Sequence, residues 1–191
     1  VCGARTGNKN FIQKIDKDGT QTATNTRSFA ARIGKFDIIP EYSFVLGTPA
    51  DTPEQAMKQI DQDIAFIKEI KQINPKTEII IYVYSPVPTE GSDMYNKVLK
   101  SGFHFPEKLE DWISPQWENF DLRKNPLTPW LTAEMINKIK DFETVLNGYY
   151  PTTSDIRLTN LKRKKLHHIA SLRYKTGIYH KTYEFKAWKI I

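Results

Sequence analysis

The chain is poor in cysteine and has no long apolar run. Its 191 residues include one cysteine, Cys2, which excludes an internal disulfide and any multi-cysteine metal site built from this chain alone. A single thiol fits a reducing compartment, so we expect a cytoplasmic protein. No stretch of about 18 apolar residues is present, and the sequence therefore predicts no membrane span.

The first ten residues, VCGARTGNKN, include neither an initiator methionine nor a charged region followed by an apolar stretch. They do not have the pattern of a signal peptide. Because the chain begins directly on a short apolar run, we expect it to be a piece cut from a longer polypeptide.

Strand and helix signals alternate in the first half of the chain. Apolar runs at 1–4, 41–47 and 78–85 predict strands. The last run is apolar at nearly every position, which is typical of parallel strands covered on both faces. Between the runs, residues 21–36 carry apolar side chains at helical spacing, and Thr52 begins a helix with a capping-box pattern. This alternation predicts an α/β fold.

The three predicted strands are too few to close a barrel, which typically needs about eight. They would also leave an apolar edge unpaired, so we expect the missing strands upstream. The second half is punctuated by tryptophan and proline, with one helix predicted from Thr132 to Gly148 and another from about Asp155. The predicted domains are residues 1–103, the α/β part, and residues 104–191, a mainly helical extension.

Familiar catalytic motifs are absent. The sequence has neither a Gly-x-Ser-x-Gly nucleophile motif nor a GxxxxGK phosphate loop, and the neighbouring His167 and His168 would point in different directions on a helix. What remains is the carboxyl edge of the predicted sheet, where parallel α/β folds bind ligands. Loops with Gly or Pro beside small polar residues follow the strands at 3–7, 47–54 and 85–92. Three such loops on one edge favour a binding site over simple turns.

Four segments resemble the radical S-adenosylmethionine (radical SAM) superfamily, particularly its members with a cobalamin-binding domain. In order along the chain they are GARTGNKNFIQKIDKDGT, PEYSFVLGTPADT, YSPVPTEGSDMYNKVLKSG and LRYKTGIYHKTYEFKAWK. They follow the order in which the family has them. The resemblance implies the last βα units of a partial TIM-like barrel, followed by the mainly helical extension.

The resemblance also implies the chemistry. Radical SAM enzymes cleave S-adenosylmethionine (SAM) at a [4Fe–4S] cluster held by a CxxxCxxC motif, and some members use cobalamin as well. With one cysteine this chain cannot hold the cluster, and no cofactor is expected on the chain alone. Its partner would be the upstream part of the same polypeptide, with the cluster and any cobalamin domain. The whole Fe–S oxidoreductase would act on a small organic molecule, in methyl transfer or cyclisation.

The resemblance assigns no catalytic residue here, but it carries over positions of the SAM pocket. They are Arg5, Thr6, Ser43, Val45, Gly47, Tyr84 and Ser85. Thr6 stands where the family has Ser or Thr near the methionine moiety of SAM, and Arg5 stands where a glutamate is usual. Val45 and Gly47 belong to the segment whose backbone lies beside the adenine, and Ser43 faces the cavity from the same strand. The last two residues would line the adenine side from the next strand.

The segment LKRKKLHH (161–168) is the most basic part of a chain with a net charge of +6. Runs of this kind are usually solvated helix faces, and on that interpretation we expect no nucleic-acid partner. The alternative function is a non-catalytic binding module, in which this helix docks nucleic acid, lipid or a partner protein through its charge.

Overall fold

The computed structural model describes residues 2–6, 22–86, 89–123, 125–151 and 159–185. Predictions that fall between these ranges, such as the start of the last helix near Asp155, lie outside the described residues.

Three parallel strands form a sheet in the first half of the chain. β1 (Cys2–Arg5), β2 (Glu41–Leu46) and β3 (Glu78–Val83) lie in the order β1-β2-β3. Among the described residues, two helices connect them in sequence, α1 (Ala23–Ile33) and α2 (Pro53–Ile73). The predicted α/β class and the parallel arrangement of the strands are therefore confirmed.

The helix α2 begins where the sequence predicts it. The Thr52 hydroxyl accepts a hydrogen bond from the Gln55 backbone N–H at 3.3 Å, and Pro53, which has no N–H to satisfy, occupies the first helical position. The backbone N–H of Glu54 and the Thr52 hydroxyl both donate to the Glu54 carboxylate, which lowers the pKa of that carboxyl. The Gln55 and Ala56 N–H groups of the first turn are therefore both bonded to Thr52.

The sheet is buried on the face that α1 and α2 cover. Tyr42 and Phe44 of β2 are 2% and 0% exposed, and they pack edge-on against Phe29 of α1 and Phe66 of α2, with ring centroids 6.2 and 6.0 Å apart. Both helices therefore lie on the same side, because alternate strand residues face opposite sides.

The central side chains of the other face are only half-buried: Ser43, Val45, Ile80 and Tyr82. The continuous apolar run of β3 predicted cover on both faces, but β3 is fully buried on one face only.

The chain divides into two compact units, residues 1–135 and 136–191. The described part of the first unit also contains three short helices, α3 (Asp93–Lys100), α4 (Leu109–Trp112) and α5 (Pro115–Glu118). Aromatic rings of this region form one cluster with centroids between 4.7 and 6.0 Å apart: Tyr95, Phe103, Phe105, Trp112, Trp117 and Phe120. The domain limit predicted after residue 103 stays a prediction.

Two long helices dominate the rest of the chain, α6 (Ala133–Tyr149) and α7 (Asn160–Thr176). α6 begins as predicted, because Thr132 accepts a hydrogen bond from the Met135 N–H at 3.3 Å. Gly148 was predicted to end this helix, but the helix continues through Tyr149. A Cβ at Gly148 would lie 2.7 Å from Cε1 of Phe185 and 3.0 Å from Cβ of Ala170. The glycine is therefore required for close packing rather than for a helix cap.

The segment after α7 folds back onto that helix. Gly177, at φ 76, follows the last helical residue, and its N–H donates to the carbonyl of Arg173. The Arg173 guanidinium donates to the carbonyls of Ile178 at 3.3 Å and His180 at 2.8 Å, and it pairs with Glu184 at 2.5 Å. Arg173 and Gly177, which both belong to the last of the four quoted segments, thus stabilise the local fold.

Candidate functional site

The chain leaves β2 at Gly47, where the backbone is left-handed. Gly47 is buried and has φ 74, a conformation that glycine adopts at little cost. Its carbonyl oxygen accepts a hydrogen bond from the indole N–H of Trp130 at 2.9 Å. A side chain 83 residues away in sequence therefore holds the carboxyl end of this strand.

Tyr84 and Ser85 follow β3 directly beside Gly47. The Tyr84 N–H donates to the carbonyl of the last β2 residue at 2.7 Å, and its ring centroid lies 6.0 Å from that of Trp130. Burial raises the pKa of the Tyr84 phenol. Ser85 is buried, and its hydroxyl is 3.4 Å from a carbonyl two residues earlier, which is long for such a bond. The structure thus brings these three predicted residues together at the carboxyl edge, with Trp130 over them.

Thr6 lies at the end of β1 and is 2% exposed. Its hydroxyl donates to the carboxylate of Asp63 on α2, which is itself 4% exposed. The hydroxyl predicted to lie near the methionine moiety of SAM is therefore bound to a carboxylate of a supporting helix. Arg5 is the last residue of β1 and pairs with Phe44 in the parallel ladder.

Ser43 and Val45 lie on the face of β2 opposite α1 and α2, and both are half-buried. In the ladders Ser43 is paired with Gly3 on one side and Ile80 on the other, which places it in the middle of the sheet. This face offers a hydroxyl beside an apolar side chain. The predicted residues therefore fall into two groups, one at the carboxyl edge and one on the half-buried face.

A cavity of about 640 Å³ opens close to this edge. One wall is the end of α3 with Lys97 and Lys100, and the other walls are the loop 49–53 and the segment 129–132. None of the predicted SAM-site residues is among the described residues that line it. Trp130 connects the two places, because it lines the cavity and also bonds to Gly47.

Within the described ranges, no three His, Cys, Asp or Glu side chains come together in a way that could hold a metal ion. None of the helices in those ranges is both long and apolar enough to cross a membrane.

Comparisons of the chain with family models, with curated proteins and with solved structures gave no match. The function proposed below therefore rests on the residues and the geometry of this chain.

Two residues that shape the site were not singled out from the sequence. Asp63 did carry a signal, because it falls at helical spacing among Ile60, Ile64 and Ile67, and a carboxylate within an apolar stripe must find a polar partner. Trp130 carried none, because its partner Gly47 lies far away in sequence.

Proposed function

We propose that this chain is the C-terminal part of a radical SAM enzyme, and that its sheet forms part of the SAM and substrate pocket. The support from the fold is the order β1-β2-β3 with α1 and α2 on one face. Sequential parallel strands with their helices on one side are typical of barrels, whereas doubly wound sheets carry helices on both sides. The proposed fold is accordingly the last βα units of a partial TIM-like barrel, with Ser43 and Val45 on its inner face.

In this proposal SAM and the [4Fe–4S] cluster supply the radical chemistry, and the chain supplies positioning. Cys2 is the one thiol, so the cluster would be held by cysteines of the upstream part, together with a cobalamin domain where cobalamin is used. The small-molecule substrate would lie on the same side of the sheet as SAM.

Some of the residues assigned to the SAM pocket could contact a ligand, and Thr6 could not use its hydroxyl to do so. Ser85 keeps a buried hydroxyl with only a weak partner, and Ser43 and Val45 offer a half-buried surface. The hydroxyl proton of Thr6 is used by Asp63. Thr6 would therefore contribute its position at the strand end rather than its hydroxyl.

Larger side chains on the half-buried face of β2 test this proposal. In the polypeptide that includes the upstream part, Ser43→Leu and Val45→Phe are each expected to weaken SAM binding at least about tenfold, which corresponds to about 1.4 kcal/mol. Isothermal titration calorimetry measures the affinity. Glu41→Gln, on the same face at the amino end of β2, is the control and should leave the affinity unchanged.

Unchanged SAM affinity in both enlarged variants would contradict the site assignment. Absence of a CxxxCxxC motif within about 150 residues before Val1, one domain's length, would contradict the radical SAM proposal as a whole.

A second candidate function rests on the exposed face of α7, whose sequence contains no acidic residue. Leu161 and Leu172 on this face are 65% and 68% exposed. Exposed basic residues lie at helical spacing around them: Lys164, Lys165, His168 and Lys175. Basic side chains around exposed leucines are typical of helices that lie on anionic membranes. We propose, as the alternative to catalysis, that this face docks on anionic lipid.

Vesicle binding tests the alternative. The chain is expected to bind vesicles that contain phosphatidylserine, to bind phosphatidylcholine vesicles much less, and to lose affinity steeply with salt. Leu161→Ser with Leu172→Ser should weaken sedimentation with the anionic vesicles. A flat salt response, or tighter binding to duplex DNA with no effect of the leucine changes, would remove the lipid interpretation.

A further inference from the structure

We propose that the cavity beside Trp130 binds an organic oxyanion, a molecule with a phosphate or carboxylate group on a planar apolar body. The cavity has a volume of about 640 Å³, within the range of about 300 to 1,000 Å³ that small-molecule sites usually have. This inference does not depend on the SAM proposal, because none of the residues assigned to SAM lines the cavity.

The positive charge of the site comes from the last turn of α3. Lys97 is half-buried and Lys100 is exposed, and both line the cavity. No ion pair joins either lysine to a carboxylate in the part of the chain that the structure describes. Lysines are common in last helical turns because they oppose the helix dipole, but these two also share a cavity. Asp51 lines the same cavity and offsets one of the two charges, which leaves the site positive.

Two neighbouring groups do not donate to a ligand here. The Ser101 hydroxyl already donates to the carbonyl of Lys97 at 2.9 Å, and the Gln55 and Ala56 N–H groups in the first turn of α2 are bonded to Thr52. Thr132 differs, because its hydroxyl oxygen accepts from the backbone at the start of α6 and its proton is left for a ligand. The ligand donors are therefore the two ammonium groups and this hydroxyl.

The remaining walls are mostly apolar and include a flat ring. Pro49, Pro53, Pro129 and Leu131 line the cavity together with Trp130. The bond from its indole N–H to the Gly47 carbonyl holds the Trp130 side chain in place. A planar apolar group gains from contact with an indole ring, while an attached oxyanion can reach the lysines. The two lysines and the apolar surface together select a molecule with both features.

Phenyl phosphate is the probe for this site, with benzoate and phenol as comparison ligands. Binding is followed by NMR of the 191-residue chain through the indole N–H signal of Trp130, which Trp130→Phe identifies. Phenyl phosphate is expected to shift this signal at concentrations up to about 10 mM. Lys97→Gln with Lys100→Gln should weaken binding at least about tenfold, because two charge-assisted hydrogen bonds are removed. A shift by benzoate as well would show that carboxylates share the site.

Lys35→Gln with Lys58→Gln is the matched control. It removes the same charge from two exposed lysines of the same unit that do not line the cavity, so it should change the affinity less than about twofold. Thermal unfolding followed by circular dichroism checks that both double variants are folded. Equal weakening by the two double variants, phenol binding as tightly as phenyl phosphate, or no shift of the Trp130 signal would each overturn the proposal. If the polypeptide that includes the upstream part does not bind SAM, and the 191-residue chain still binds phenyl phosphate, only the radical SAM proposal is contradicted.

Discussion

Replacing Arg173 by alanine is expected to lower the free energy of unfolding of the unit at residues 136–191 by about 3 kcal/mol. One side chain donates to three backbone carbonyls, those of Ile178, His180 and Lys181, and pairs with Glu184. Its removal leaves these acceptors and a partly buried carboxylate without their donor, and hydrogen bonds to charged groups are worth about 1.5–3 kcal/mol each.

Hydrogen exchange in denaturant measures this effect at the amides of Lys181 and its neighbours. The Lys181 N–H donates to the carboxylate of Asp141 at 2.9 Å. Protection of this amide from exchange therefore reports whether the segment after α7 is packed on α6. Arg173→Lys should recover only part of the stability, because an ammonium cannot reproduce the planar fork of donors. Lys175→Ala, an exposed position on the same helix, is the control. Equal loss of amide protection in Arg173→Ala and Lys175→Ala would show that the Arg173 guanidinium does not hold the segment after α7 in place.

The stability of the first unit is expected to rise with pH above about 8 because of Lys71. Lys71 is 4% exposed, and its Nζ donates to the carbonyls of Pro75 at 2.7 Å and Thr77 at 2.5 Å. Burial lowers the pKa of Lys71 to about 8, while the charge of Glu78 acts in the opposite direction. A lysine of an unfolded chain has a pKa of about 10.4.

The direction of this pH dependence follows from the number of protons that the folded and the unfolded chain bind. Below pH 8 the folded and unfolded chains both hold the Lys71 proton, so this group gives no pH dependence there. Between about 8 and 10.4 only the unfolded chain holds it, and the free energy of unfolding rises with pH, by about 2 kcal/mol at pH 9.5. Urea unfolding from about pH 7 to 9.5 measures this slope.

Two lysine variants test the assignment of this slope. Lys71→Met should abolish the rise, and Lys58→Met, at an exposed position of the same helix, should keep it. Because each variant removes one lysine and leaves every other titratable group in place, the comparison isolates Lys71. A rise of the same size in Lys71→Met would contradict the assignment.

Much of the secondary structure could be predicted from the sequence, because it depends on near neighbours. The start of α2 needs only Thr52, Pro53 and Gln55, and that of α6 needs only Thr132 with the amide of Met135. The apolar runs of β2 and β3 likewise predicted parallel strands. The end of α6 shows the limit of such rules. A glycine that locally indicates a cap is placed at Gly148 by packing against other segments.

The candidate site could be predicted only in part. The loop positions at the strand ends follow from the alternation of strands and helices, and the structure places Gly47, Tyr84 and Ser85 at one edge as expected. The bond from Trp130 to Gly47 and the bond from Thr6 to Asp63 join residues 83 and 57 positions apart. No local pattern predicts such pairs, because either residue could equally face solvent or another segment.

By itself the sequence determined that this is an α/β chain, that helices begin after Thr52 and Thr132, and that one thiol cannot hold an iron–sulfur cluster. These features depend on side-chain periodicity, capping chemistry and counting, all of which act within a few residues. Only the tertiary structure decided that both connecting helices lie on one face of the sheet. It alone also decided that Trp130 closes the edge at Gly47 and that Lys97 and Lys100 line a cavity. These features require segments that are distant in sequence to pack together, and burial of apolar surface across the whole unit determines which segments meet.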